Sequence, residues 1–114
     1  NALNLAVSTM LATSKIGYPE SRIILSQCVI YLASSPKSNS AYEAINKGIS
    51  EVKNGKILDI PKNIDSFHKD YLYPHNFGGY VEQKYLSESL NLYNSKGIGF
   101  EKTLDDWIKK IKDK

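Results

Sequence analysis

The residue pattern with the most chemical potential in this sequence is Ser34-Ser35-Pro36-Lys37. A serine one helical turn ahead of a lysine can serve as a nucleophile beside an amine base, the arrangement used by penicillin-recognising enzymes. Lys102-Thr103 faintly echoes their third motif. That chemistry needs an unbroken helical turn, however, and Pro36 falls inside the spacing, where it removes a backbone donor and clashes with the preceding turn. A second S-x-x-K at Ser66 to Lys69 shows how readily the pattern arises in a chain rich in both residues. The local chemistry therefore favours a corner between two helices over a catalytic pair.

The other reactive side chains lead to similar conclusions. His68 and His75 fall near Asp65, Asp70 and Glu82, but without the tight ligand spacing on ordered elements that metal sites use. A loop histidine bonded to backbone is the expected state of each. Gly78-Gly79 lacks the Gly-Lys-Ser/Thr that completes a phosphate-binding loop. Cys28 is the only cysteine, which excludes an internal disulfide, and its apolar neighbours predict a small buried hydrophobe. The tyrosines and lysines between Lys69 and Tyr85 could stack single-stranded nucleic acid. Buried tyrosines that pin the loop down are the expected use.

Four helices position these groups. The apolar residues Leu3, Leu5, Ala6, Met10, Leu11 and Ile16 predict an amphipathic helix over Ala2 to Ile16. Gly17 supplies a left-handed stop, and Pro19 with Glu20 suits the start of the next helix. That second helix, Pro19 to Ser34, is apolar nearly all round in its later half and must be buried on several sides. Pro36 ends it by pushing the preceding residue out of the α region. A third helix starts at Ser38 or Ser40 and runs to Lys53, with Ala41, Tyr42, Ile45, Ile49 and Val52 as its stripe and Gly55 as its stop. Ser40-Ala41-Tyr42-Glu43 matches a capping box, with Ser38 and Asn39 as alternative caps. An irregular aromatic segment follows, with a short helix near Lys62 to Phe67. The last helix repeats Phe100, Leu104, Trp107, Ile108 and Ile111 at three and four, with lysines in its final turn.

The expected architecture is all-α: a compact domain of about four to five helices with a long aromatic loop. Residues 1–114 read as one domain, with a helical hairpin core over 1–54, the aromatic loop over 55–98 and the terminal helix over 99–114. The formal charge of +3 comes from fourteen lysines and one arginine mixed with twelve acids, so no strong nucleic-acid footprint stands out. No apolar run approaches the roughly 20 residues of a membrane-spanning helix. The chain opens on Asn1 without an initiator methionine, and a piece of a longer protein is the expectation.

Two blocks go beyond periodicity. Gly17, Pro19, Glu20, Arg22 and Gln27, continuing through Pro36-Lys37-Ser38-Asn39-Ser40-Ala41-Tyr42, form the first; Tyr73-Pro74-His75, Gly79, Gln83 and Tyr85 anchor the second. Both resemble the C-terminal domain of the replication-associated recombination protein A family, the MgsA/RarA-type AAA+ ATPases, and Gly99-Phe100-Glu101-Lys102 is similar to the family's closing helix start. The resemblance implies a helical oligomerisation domain of the clamp-loader-collar type, assembling its parent into a homotetramer. The implied parent is a cytoplasmic, nucleoid-associated, DNA-stimulated ATPase of replication, recombination and repair at stalled forks. Its expected partners are DNA and single-stranded-DNA-binding protein, with ATP and Mg held in an upstream domain and no cofactor in this chain. No catalytic residue carries over, so the chain itself is not expected to be an enzyme. Ile24, Cys28, Tyr31 and Leu32 of the second helix are the candidate subunit interface. A DNA-contacting module built on scattered lysines and loop tyrosines is the alternative. Two departures from the family pattern stand out: the segment Phe67-His68-Lys69-Asp70-Tyr71 is short, and Asn76 occupies a position where relatives commonly carry Asp.

Overall fold

The computed structural model describes residues 1–113. It contains four α-helices, α1 (Ala2–Ile16), α2 (Ser21–Ser34), α3 (Ser40–Lys53) and α4 (Phe100–Lys112), and no strand among the described residues. Short 3-10 turns at Lys62–Ile64 and Pro74–Phe77 punctuate the long segment between α3 and α4. The fold is all-α. The chain divides into two compact units, Asn1–Lys37 and Ser38–Lys114.

The helix ends follow from local chemistry, with two corrections. Gly17 has positive φ, but its ψ of 177° places it in an extended region open essentially to glycine alone, outside the left-handed helical well. Pro19 and Glu20 lie in the turn ahead of α2, which begins at Ser21 rather than at the proline. Ser35 is extended at ψ 140°, as the residue before a proline must be, and α2 stops at Ser34. At the end of α3, Lys56 N–H donates to Glu51 C=O and Gly55 N–H donates to Val52 C=O. With Gly55 at φ 83°, these bonds form a Schellman motif.

The first unit is α1 packed antiparallel on α2, with Asn1 beside Tyr31. Its inward face mixes small side chains with a few larger apolar ones. Thr9, Ser21 and Cys28 are buried, and Leu5, Ala6, Ala12, Ile24 and Leu32 are half-buried at helical spacing around them. The expected stripe on α1 is split by this packing: Leu5 and Ala6 turn inward, whereas Leu3, Met10, Leu11 and Ile16 face outward.

The second unit shows the same inversion. On α3 the inward positions are Ser40, Ala44, Gly48 and Glu51, while Tyr42, Ile45, Ile49 and Val52 are exposed. The irregular chain lies over the small face. Leu92 comes within 3.6 Å of where a Cβ on Gly48 would sit, and Lys47 Nζ donates to Asn91 C=O at 2.5 Å. Ion pairs join Lys56 to Glu88 at 3.2 Å and Lys96 to Glu43 at 3.0 Å. On α4, Leu104 and Ile111 are half-buried, but Phe100, Trp107 and Ile108 are exposed. The loop aromatics expected as buried pins are so only in part: Tyr71 and Tyr80 are half-buried, whereas Tyr73, Phe77, Tyr85 and Tyr93 remain substantially open to solvent and Phe67 is 97% exposed.

Candidate functional site

Two clusters organise the family-like residues, and the first is the corner after α2. Lys37 Nζ donates to Leu32 C=O at 2.7 Å and also to Ser35 C=O. Ser35 Oγ donates to Tyr31 C=O at 2.6 Å. These bonds satisfy carbonyls that the end of α2 leaves without helical partners, and they place a cation at the negative end of the helix dipole. The amine that the S-x-x-K spacing would have offered Ser34 as a base is thus occupied as a helix cap, and the structure assembles no Ser34–Lys37 pair. Pro36 is exposed beside them.

Immediately after Lys37 the hydroxyls turn to a different partner. Ser38 Oγ donates to Glu101 Oε1 at 2.7 Å, and Ser40 Oγ donates to the same oxygen. The other carboxylate oxygen, Oε2, accepts the N–H groups of Lys96 at 3.0 Å and Ile98 at 3.4 Å. The hydroxyls of Ser40 and Ser38, followed by these amides, hold the Glu101 carboxyl down to about 2 from its ordinary 4.5. The anticipated capping box does not form, because Ser40 spends its hydroxyl on Glu101. Asn39 takes the N-cap position without a side-chain bond to a helix amide, and its Nδ2 instead donates to Glu43 Oε1 at 3.0 Å. Ser40 and Glu101 are 61 residues apart in the chain, a pairing that no local pattern announces.

The second cluster is the aromatic block. The side-chain amide of Gln83 acts as a bracket: Leu72 N–H donates to its Oε1 at 3.3 Å, and its Nε2 donates to Leu72 C=O at 2.8 Å. Nε2 also donates to the Tyr85 hydroxyl at 3.0 Å. This bracket fixes the entry to the 3-10 turn at Pro74, which Gly78 closes in the left-handed conformation while Gly79 N–H donates to Pro74 C=O at 2.9 Å. Tyr73 and His75 stack at 4.9 Å between ring centroids, tilted by 51°. His68 Nδ1 accepts the Asp70 amide at 3.2 Å. No group of three potential metal-ligating side chains is gathered among the described residues. Nor do the glycines fit a nucleotide, since Gly78-Gly79 leads into extended chain rather than a helix N-terminus.

The remaining family-like positions are dispersed. Arg22 and Gln27 are exposed on α2, with Gln27 beside Tyr31 and Asn4 of the same unit. Of the candidate interface residues, Cys28 is buried and Ile24 and Leu32 are half-buried within the first unit, while Tyr31 is exposed. The outer side of α2 carries Ile23, Val29 and Ile30, which are 66%, 64% and 63% exposed.

Residues 1–112 match the family model described as MgsA AAA+ ATPase C terminal. The chain belongs to this family. It is 38% identical to the replication-associated recombination protein A of Bacillus subtilis over 92% of its own length, and 35% identical to that of Coxiella burnetii over 78%. An uncharacterised protein of Thermotoga maritima is 36% identical over 97% of the chain. The chain spans only 20%, 28% and 23% of the Thermotoga, Bacillus and Coxiella proteins, respectively. No helix among the described residues is long and apolar enough to cross a membrane.

Proposed function

We propose that this chain is the self-association module of an AAA+ ATPase acting in DNA replication, recombination and repair, and that it assembles its parent as a homotetramer. The observation that carries this reading is what the helices expose. Cys28 is the one buried hydrophobic residue and no large side chain is fully buried among those described, and most of the bulkier apolar residues of the four helices look outward, with Leu5, Ile24, Leu32, Leu104 and Ile111 half-buried. The names of the Bacillus and Coxiella relatives supply the replication and recombination context.

In this reading ATP and Mg bind elsewhere in the parent, which contacts DNA and single-stranded-DNA-binding protein, and the present chain contributes no chemistry. Multi-angle light scattering of the 114-residue chain across micromolar concentrations tests the proposal. The expected mass is a multiple of 12.8 kDa, approaching four copies. A strict monomer throughout would overturn it.

A further inference from the structure

Asn54, at the end of α3, is the only asparagine in the sequence that is followed by glycine. The side-chain amide carbon of an asparagine is an electrophile within reach of the next residue's backbone nitrogen. Most side chains crowd that approach, whereas glycine has none and leaves its backbone free to turn. Asn54 and Gly55 are both exposed to solvent. The hydrogen bonds around them nevertheless hold the reacting atoms apart. Gly55 N–H donates to Val52 C=O at 3.0 Å, and Lys56 N–H donates to Glu51 C=O at 3.0 Å. The ψ of 9° at Asn54 turns the Gly55 nitrogen away from the Asn54 side chain. Asn54 Nδ2 donates to Ser50 Oγ at 3.4 Å, one turn back along the helix. We infer that Asn54 is a site of spontaneous deamidation, and that the hydrogen-bonded end of α3 is the gate that controls it.

The reaction needs no enzyme and no reagent other than water. When the last turn of α3 opens, the Gly55 nitrogen gives up its proton and attacks Cγ of Asn54. A bond forms between them, the bond from Cγ to the side-chain nitrogen breaks, and ammonia leaves. Water then adds to either carbonyl carbon of the resulting cyclic imide and breaks that carbon's bond to the ring nitrogen. One product is aspartate, which places a carboxylate at the negative end of the α3 dipole. The other is isoaspartate, in which the main chain runs through the former side chain and gains a methylene. That insertion displaces the Gly55 and Lys56 N–H groups from the carbonyls they satisfy. Helix ends open at a small fraction of the cost of global unfolding, so the folded chain crosses the gate without melting. The change reaches beyond α3, because Lys56 is also paired with Glu88 at 3.2 Å and ties the segment after α3 back to the helix end.

The test holds the 114-residue chain in mildly alkaline buffer, with and without guanidinium chloride, and follows each asparagine by peptide mapping and mass spectrometry. Helical circular dichroism confirms that the sample without denaturant stays folded. In denaturant, Asn54 should convert ahead of every other asparagine, including Asn39 and Asn94, which precede serine. In the folded chain the same conversion should run about tenfold slower or more, since it waits on a local opening. Asn54→Gln should abolish the product at this position, because glutamine would have to close a larger ring that forms far more slowly. Equal rates at Asn54 in the folded and denatured samples would show that the end of α3 is no gate. Conversion in denaturant no faster at Asn54 than at Asn39 or Asn94 would show that Asn54 is not the favoured site. Either result overturns the inference.

Discussion

Glu101 is the residue on which the second unit turns, since one carboxylate ties the start of α3 to the start of α4 through Ser38 and Ser40. The donors lower its pKa from 4.5 to about 2. The folded state therefore holds the charged form more tightly than the unfolded chain does. Its contribution to stability is complete above about pH 4.5 and is lost as pH falls from there towards 2. Glu101→Gln should accordingly be less stable than the parent sequence at pH 7, because a neutral amide brings one accepting oxygen where the carboxylate brings two and a charge. The gap should narrow below pH 4.5 and close near pH 2. Urea unfolding at pH 7, 4 and 2.5 measures it, and a difference independent of pH would show that the carboxylate is not what holds the corner. Sequence reasoning identified Ser38 and Ser40 as capping residues and missed their partner. Capping patterns are local, whereas the oxygen they serve arrives from more than sixty positions away.

At the scale of the helices, starts and stops were largely legible, because proline and glycine act through the backbone of their immediate neighbours. Pro36 and Gly55 stop α2 and α3 where their chemistry predicts. Facing was not legible. A stripe such as Tyr42, Ile45, Ile49 and Val52 shows that a helix has an apolar side, but it does not specify what covers that side. Here the long segment after α3 packs on the opposite, small-residue face, and Gly48 is the position that tests this. An alanine there gains helix propensity of about 1 kcal/mol, and its methyl group would meet Leu92 at an ordinary contact distance of 3.6 Å. Gly48→Ala should therefore raise stability by about 0.5–1 kcal/mol in chemical denaturation. A loss of stability would mean that Leu92 sits closer to α3 and that this face has no room to spare.

For the whole molecule, the proposed self-association would make stability a property of the assembly, since it would cover the outward apolar faces of each copy. Association that favours the folded state raises the unfolding temperature with protein concentration, by mass action. The midpoint of this chain should accordingly climb over a hundredfold concentration range, whereas a self-sufficient monomer would hold constant. Ile30→Lys separates folding from assembly. Ile30 is 63% exposed on the outer side of α2, so a lysine there meets water in the isolated copy and costs the fold within about 0.5 kcal/mol. In an assembled interface the same ammonium would be stripped of water opposite apolar side chains, at a cost of several kcal/mol. The variant should keep its helical circular dichroism, sediment as a smaller species, and lose much of the concentration dependence of its midpoint. Should it assemble as before, the contact lies off the outer face of α2, and the exposed stripe on α3 becomes the next surface to alter. If instead the helical signal collapses at every concentration, Ile30 is needed for the folding of the first unit itself, and a variant on the exposed stripe of α3 must separate folding from assembly.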